Sequence, residues 1–192
     1  MAPNNVLGVN SLGAFYFFRG DYQQAIGQFK RLAQMAPNNH FAFGNIAAAY
    51  YAMGQIELAI ANTKKGIAIN PTGSAYSNLA TLFFYQKSYD QAVNAYEKAV
   101  EFDANFYVIW GNLGDAYRLA NNLKSSDAYQ KAADLAQAAV DLNPKDSQAM
   151  VSLAFYLANL GQATQALNYV RQLGSKNNGN EHFMAALTGD VL

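Results

Sequence analysis

Three asparagines, Asn45, Asn78 and Asn112, recur at intervals of 33 and 34 residues. A carboxamide both donates and accepts hydrogen bonds, so it can pair with the two polar groups of a peptide unit whatever side chain that unit carries. The sequence around these asparagines recurs twice more in the chain, and the corresponding positions there hold serines, Ser11 and Ser152. The row is therefore suited to holding an extended peptide backbone. Bonding of one helix to the next is the alternative interpretation.

The sequence offers no catalytic constellation and no metal site. The chain has two histidines, His40 and His182, far apart in sequence, and no cysteine, which disfavours metal binding and excludes thiol chemistry. No glycine-rich phosphate loop is present, and nothing groups serine, histidine and aspartate into a triad. We expect a non-enzymatic binding protein without cofactor, metal or catalytic residues.

Composition narrows the range of partners. The 192 residues are 52% hydrophobic, enough for a folded chain throughout. Thirteen Lys and Arg balance thirteen Asp and Glu, so no net field attracts nucleic acid or an anionic membrane. The long uncharged runs contain Gln, Asn and Gly at helical spacing, which favours packed helices over a membrane span. We expect a protein or peptide partner, no nucleic acid, no membrane insertion and, by default, a cytoplasmic location.

One short sequence motif, which we call the phrase, recurs along the whole chain. Trp110, Leu113, Gly114 and Tyr117 fall at i, i+3, i+4 and i+7, which is one face of a helix. The phrase occurs four more times, at Val9/Leu12/Gly13/Tyr16, Phe43/Ile46/Ala47/Tyr50, Tyr76/Leu79/Ala80/Phe83 and Met150/Leu153/Ala154/Leu157. The spacing predicts five helices, each with this face buried.

A second, alanine-based stripe follows each phrase. Small alanines allow two helices to approach closely, and a proline stops a helix because its ring cannot continue an interior turn. The stripes are Ala25/Phe29, Ala59/Thr63, Ala92/Tyr96, Ala132/Ala136 and Ala166/Val170, and three of them are followed by Pro37, Pro71 and Pro144. Each unit is therefore predicted to be a helical hairpin, with a period of 33 or 34 residues.

This period and pattern resemble the tetratricopeptide repeat (TPR), with its W-x-x-L-G-x-x-Y…A-x-x-x-F…P signature. The resemblance covers nearly the whole chain and implies an all-α fold, a right-handed α-solenoid of antiparallel helix hairpins forming one domain over residues 1–192. The expected repeats are 6–39, 40–72, 73–106, 107–146 with a six-residue insertion, 147–180, and a partial first helix at 181–192.

Two irregularities modify this plan. The insertion is expected within 121–127, as a longer turn or an added turn on the second helix, because that stretch is rich in turn and cap residues. At the N-terminus the segment 2–5 repeats the sequence of 36–39, which closes the first repeat. We therefore expect the chain to be a fragment of a longer protein.

The resemblance also implies where a partner binds, because the first helices of this family line a concave groove. Some aromatic residues on these helices are expected to serve as packing between repeats instead. The residues predicted to contact a peptide are Asn45, Asn78, Asn112, Phe17, Tyr51, Phe84, Tyr85, Arg118 and Phe155. The asparagines resemble the ladder of the TPR domain of O-linked N-acetylglucosamine transferase.

The clamp that chaperone-binding members close on a terminal carboxylate is not reproduced. Its basic and amide positions hold Asn10, Ala14, Ser74 and Asn78, and Asn45 alone cannot hold a carboxylate. The groove is aromatic and almost uncharged, which favours a hydrophobic or aromatic extended segment, or a helix, over a chaperone tail.

Three hypotheses for function follow. The first is a protein–protein interaction module that binds a peptide or helix in its groove. The second is a regulatory or substrate-recruiting TPR segment of a larger bacterial signalling enzyme, suggested by a similarity of residues 110–160 to repeat tails of bacterial multidomain regulators. The third is a scaffold that self-associates as a homo-oligomer through its ends.

Overall fold

The structure, a computed structural model, describes residues 5–176, and over that range it contains ten α-helices. They are α1 Val6–Phe18, α2 Tyr22–Met35, α3 His40–Ala52, α4 Ile56–Ile69, α5 Gly73–Tyr85, α6 Tyr89–Phe102, α7 Tyr107–Leu119, α8 Ser125–Leu142, α9 Ser147–Asn159 and α10 Ala163–Lys176. The segment 2–4 and the partial sixth helix predicted at 181–192 lie outside the described residues.

The chain divides into two compact units, Met1–Phe102 and Asp103–Leu192. Unit 1 contains the hairpins α1/α2, α3/α4 and α5/α6, in which α2 also packs on α3 and α4 on α5. Unit 2 contains α7/α8 and α9/α10, and α8 packs on α9. The predicted all-α hairpin fold is confirmed, whereas a single domain over 1–192 and the repeat boundaries stay predictions.

The predicted apolar stripe forms the core of the hairpins. In α7, Leu113, Gly114 and Tyr117 are buried, and Trp110 is half-buried. The Trp110 indole N–H donates a 2.8 Å hydrogen bond to the Ala104 carbonyl. Because Ala104 stands where three other repeats have proline, this bond holds the turn before α7 without a proline.

The turn inside each hairpin needs one residue in the left-handed region of backbone space. This residue follows the first helix and allows its last carbonyls to find partners. Three hairpins use glycine there, as at Gly20 with φ +82°, while Lys87 (φ 62°) and Asn121 (φ 55°) adopt the same conformation in the other two. All five turns are therefore built alike, although two of them lack glycine.

The fourth hairpin differs in length from the others. Its turn covers residues 120–124, against three residues in each of the other four turns, and α8 has 18 residues where the other second helices have 14. The extra length therefore consists of two residues in the turn and about one turn of helix. Leu123 projects from this turn and is almost fully exposed.

Candidate functional site

Unit 1 contains a cavity of about 730 Å³ lined by α3, α4 and α5, which we call the α3–α5 cavity. This volume lies within the range of ligand pockets, about 300–1,000 Å³. None of its sixteen lining residues is Asp, Glu, Lys or Arg. Apolar side chains such as Phe41 and Leu82 alternate with amides and hydroxyls such as Asn78 and Ser74. The cavity is therefore uncharged but can form hydrogen bonds.

Two predicted asparagines lie in this cavity, and they differ in their bonding. The Asn45 amide donates a 3.2 Å hydrogen bond to Asn10 Oδ1 on α1. Asn78 is exposed, and its side chain forms no hydrogen bond with any other residue of 5–176. Asn78 lacks such a bond because its counterpart of Asn10 is a glycine. Asn10 directly precedes Ser11 in the first repeat, and the residue that directly precedes Asn45 in the second repeat is Gly44. Asn45 thus bonds one helix to the next, while the Asn78 carboxamide is available to a ligand.

The structure also brings together two predicted tyrosines, Tyr51 and Tyr85. Their ring centroids are 5.7 Å apart, and Tyr51 lines the cavity. A hydrogen bond with Tyr85, with a smaller contribution from burial, raises the pKa of Tyr51 above its usual value. The rings remain 41% and 60% exposed, so they offer aromatic surface and hydroxyl groups beside the cavity.

The predicted phenylalanines Phe17 and Phe84 are placed differently. Each packs edge-on against the tyrosine that begins the following helix, Phe17 on Tyr22 at 5.5 Å and Phe84 on Tyr89 at 5.6 Å between ring centroids. Both are half-buried, and neither lines the α3–α5 cavity. These contacts pack the two helices of a hairpin together, in line with the packing alternative for such aromatics.

The predicted residues Asn112, Arg118 and Phe155 belong to unit 2. Arg118 is engaged in a local network, because its guanidinium lies 3.5 Å from Asp115 Oδ1 and its Nε donates a 3.4 Å bond to the Tyr129 hydroxyl. That hydroxyl in turn donates a 2.7 Å bond to Asp115. Burial raises the pKa of Tyr129 above its usual value. Arg118 is therefore already paired within the unit.

Asn112 and Phe155, the other two predicted contacts in unit 2, are not part of this network. Asn112 is half-buried, and Phe155 is 37% exposed with an edge contact of 5.9 Å to Tyr156. Ser152, at the end of the asparagine row, was expected to face the groove, but it is only 9% exposed. Its side chain forms a hydrogen bond with Tyr156. This bond lowers the pKa of Tyr156, although burial raises that pKa by more. Ser152 is therefore part of the packing and does not face a groove.

Two residues that line the cavity, His40 and Gly44, were not among the contacts predicted from the sequence. His40 begins α3, lines the cavity and lies 3.3 Å from the Asn70 amide through its Nε2. Gly44 leaves open space, since a Cβ there would meet no atom within 4 Å. The position of each residue in the repeat could have indicated its role. His40 is the first residue of the first helix, and Gly44 directly precedes Asn45.

Metal-ligand clusters and membrane-spanning helices are both absent from the described part of the chain. Between residues 5 and 176, no three His, Cys, Asp or Glu side chains cluster as metal ligands would. None of the helices there is long and apolar enough to cross a bilayer.

Comparison with known families decides the identity of the repeat. Two models described as tetratricopeptide repeat match residues 19–82 and 73–106. Residues 19–106 are tetratricopeptide repeats. A comparison with curated protein sequences gave no match. Tetratricopeptide repeats typically serve as protein–protein interaction modules and are generally non-enzymatic.

Solved structures share the TPR fold at low sequence identity. A crystal structure of MamA is 22% identical with a TM-score of 0.62, and the match covers 83% of this chain and 91% of that one. MamA 41-end from Desulfovibrio magneticus RS-1 is 18% identical with a TM-score of 0.64, over 94% and 99% of the two chains. The first TPR of Spaghetti (RPAP3), bound to the HSP90 peptide SRMEEVD, is 23% identical with a TM-score of 0.57, over 61% and 94%. These likenesses concern the fold.

Proposed function

We propose that this TPR protein is a non-catalytic interaction module that binds an uncharged peptide segment of a partner protein in the α3–α5 cavity. The observation that carries the proposal is an uncharged cavity of about 730 Å³ into which Asn78 presents a carboxamide with no partner among residues 5–176. A polar group so placed gains hydrogen bonds when a peptide replaces water.

The arrangement around Asn78 favours contact with a peptide backbone. The open space over Gly44 lets a ligand main chain come close to α3, where a side chain would otherwise hold it away. Asn78 can then donate to a peptide carbonyl and accept from a peptide N–H. Asn45, whose amide is committed to Asn10, contributes its carbonyl oxygen as an acceptor.

The surrounding aromatic rings favour hydrophobic or aromatic ligand side chains. Phe41 is 67% exposed on the cavity wall, and Tyr51 and Tyr85 lie beside it. Large exposed rings gain most from covering by apolar groups, while tyrosine hydroxyls can still bond to a backbone. An extended segment and a helix laid along the cavity both meet these requirements.

The same chemistry disfavours an acidic ligand. RPAP3 binds an HSP90 peptide that carries two glutamates and a terminal aspartate. In this chain the positions of the carboxylate clamp hold Asn10, Ala14, Ser74 and Asn78, and no lysine or arginine lines the cavity. Placing a carboxylate there would cost its hydration without a compensating cation.

Other features of the hypothesis stay predictions. Asn112, Arg118 and Phe155 are predicted contacts on unit 2, and Phe17 and Phe84 on unit 1. The absence of a nucleic acid partner, inferred from the balanced charge, and the cytoplasmic location, taken as the default, also stay predictions.

A peptide-display screen tests the proposal. Wild type is expected to select uncharged peptides rich in aromatic and aliphatic residues, and Asn78→Ala to bind them at least about tenfold more weakly, the loss expected for well-placed buried hydrogen bonds. The matched control is Asn94→Ala, which removes an exposed asparagine of α6 outside the cavity. Selection of acidic C-terminal peptides, or equal binding by Asn78→Ala and wild type, would refute the proposal.

A further inference from the structure

The α3–α5 cavity has a floor of small residues, by which we mean Ala47 of α3 together with Thr63 and Gly66 of α4. All three line the cavity and are buried. The corresponding residues of the α1/α2 hairpin, each 34 positions earlier, are Gly13, Phe29 and Leu32. Helix α4 therefore presents a threonine and a glycine where α2 presents two large apolar side chains.

In the α1/α2 hairpin these positions are filled. Phe29 and Leu32 are 2% and 1% exposed. A Cβ built on Gly13 would lie 2.5 Å from Cε1 of Phe29, so the phenylalanine ring occupies the surface above that glycine. Tyr96 of α6 holds the same repeat position as Phe29 and is 3% exposed. Of the three second helices described in residues 5–102, α4 is therefore the one without a buried ring at this position.

The floor can be covered by an apolar group without loss of a hydrogen bond. The Thr63 hydroxyl donates a 3.0 Å bond to the Ala59 carbonyl of its own helix, so covering it leaves no polar group without a partner. Ala47 and Gly66 have no polar side-chain atom. An apolar cavity of about 150 Å³ can hold benzene. The cavity of about 730 Å³ therefore has room for an aromatic ring beside a peptide main chain.

We propose that the peptide segment bound in the α3–α5 cavity inserts one aromatic side chain between α3 and α5, onto the floor, in the place that corresponds to the Phe29 ring of the α1/α2 hairpin. This inference rests on the proposed function and deepens it. The ligand main chain bonds to Asn78, and the aromatic residue anchors the segment through burial of its ring. The partner is accordingly a protein segment with one aromatic anchor among uncharged residues.

Two uncharged probes test the floor in the absence of a partner protein. N-acetyl-phenylalanine amide carries a ring between two amide groups, and N-acetyl-alanine amide carries a methyl group in its place. With methyl-labelled protein, the phenylalanine probe is expected to shift the NMR signals of the Thr63 and Ala47 methyl groups, while the methyl signal of Ala95 on α6, outside the cavity, stays in place. The phenylalanine probe is expected to bind at least about tenfold more tightly than the alanine probe, because its ring is buried.

A cavity-filling variant locates the bound ring. Gly66→Leu introduces in α4 the residue that Leu32 provides in α2, and the nearest atom to a Cβ at position 66 lies at 3.4 Å, an ordinary contact. The variant is expected to bind the phenylalanine probe at least about tenfold more weakly than wild type. Gly27→Leu makes the same change at an exposed position of α2 with open space around it, and is expected to bind like wild type. Thermal melts check that both variants are folded, and if Gly66→Leu is not, the comparison of the two probes on wild type decides.

A peptide selected by the display screen gives the matching test from the ligand side. Its aromatic residues are replaced by alanine one at a time, and the affinity of each variant is measured. We expect one residue at which the affinity falls at least about tenfold, because a side chain buried at the centre of an interface carries a large share of the binding energy.

Four results would overturn the aromatic anchor. These are equal binding of the two probes, methyl shifts that spare Thr63 and Ala47, unchanged probe binding by a folded Gly66→Leu, and small, even losses along the peptide. If peptide binding is still lost in Asn78→Ala, the proposed function survives any of them. Shifts at the floor combined with equal peptide binding by Asn78→Ala and wild type would instead support the aromatic pocket and refute the proposed backbone contact.

Discussion

Asn45 on α3 donates a 3.2 Å hydrogen bond to Asn10 on α1, across the boundary between two repeats. The next asparagine of the row, Asn78, meets Gly44 in the place of such a partner. The same residue at the same repeat position therefore serves two purposes, helix-to-helix bonding in one case and, by our proposal, ligand contact in the other.

This difference predicts unequal effects of two alanine substitutions on stability. Asn45→Ala should lower the free energy of unfolding by about 0.5–1.5 kcal/mol, because it removes a part-buried hydrogen bond between repeats. Asn78→Ala should change it by less than about 0.5 kcal/mol, since its side chain is exposed. Urea unfolding followed by circular dichroism measures both. Equal losses for the two variants would mean that Asn78 is a structural residue as well.

Two alanine substitutions of glycine are expected to change stability in opposite directions. A Cβ at Gly114 would lie 2.7 Å from Cδ1 of the buried Tyr129 ring, so Gly114→Ala should cost about 1–3 kcal/mol of stability through overpacking. Gly27 is exposed within α2 with nothing within 4 Å of the added atom, and Gly27→Ala should stabilise by about 0.5–1 kcal/mol. Thermal unfolding of the two variants beside wild type is the measurement. A neutral Gly114→Ala would contradict the close helix packing described in unit 2.

Alkaline pH should destabilise the protein through buried tyrosines. Burial raises the pKa of Tyr156 from 10.0 to about 12, so the folded state favours the neutral phenol. The stabilising contribution is complete below pH 10, where both states are neutral, and is lost as pH rises towards 12 because only the unfolded state ionises freely. We expect a loss of about 2–3 kcal/mol over this range.

Urea unfolding at a series of alkaline pH values checks this expectation. Tyr156→Phe should be less stable or equal at neutral pH, yet lose less stability than wild type between pH 10 and 12. An identical pH dependence in the variant would show that Tyr156 is not responsible.

The sequence was sufficient for the repeat and its core, because burial follows helical periodicity. Leu113, Gly114 and Tyr117 are buried as their spacing predicts, and the hairpins follow from alanine stripes and turn residues. Lys87 and Asn121 show that the left-handed turn position can be occupied without glycine once two helices must reverse direction.

The site was less predictable, because the role of a residue depends on its neighbours in other helices. Phe17 and Tyr51 hold the same place in successive repeats. Phe17 packs on Tyr22, whereas the residue matching Tyr22 in the next hairpin is Ile56, and Tyr51 turns instead to Tyr85. Such differences depend on which side chains of neighbouring helices meet, within a repeat or between repeats, and a periodic pattern does not encode that pairing.

NMR of the side-chain amides gives the most direct test of the peptide site. A ¹⁵N-labelled sample titrated with a peptide from the screen should show the Asn78 NH₂ signals shifting in proportion to occupancy, while those of Asn94 on α6 stay in place. Assignment follows from the loss of each pair in Asn78→Ala and Asn94→Ala. Shifts confined to unit 2, or an Asn78 signal that does not move at saturation, would contradict the assignment of the α3–α5 cavity as the binding site.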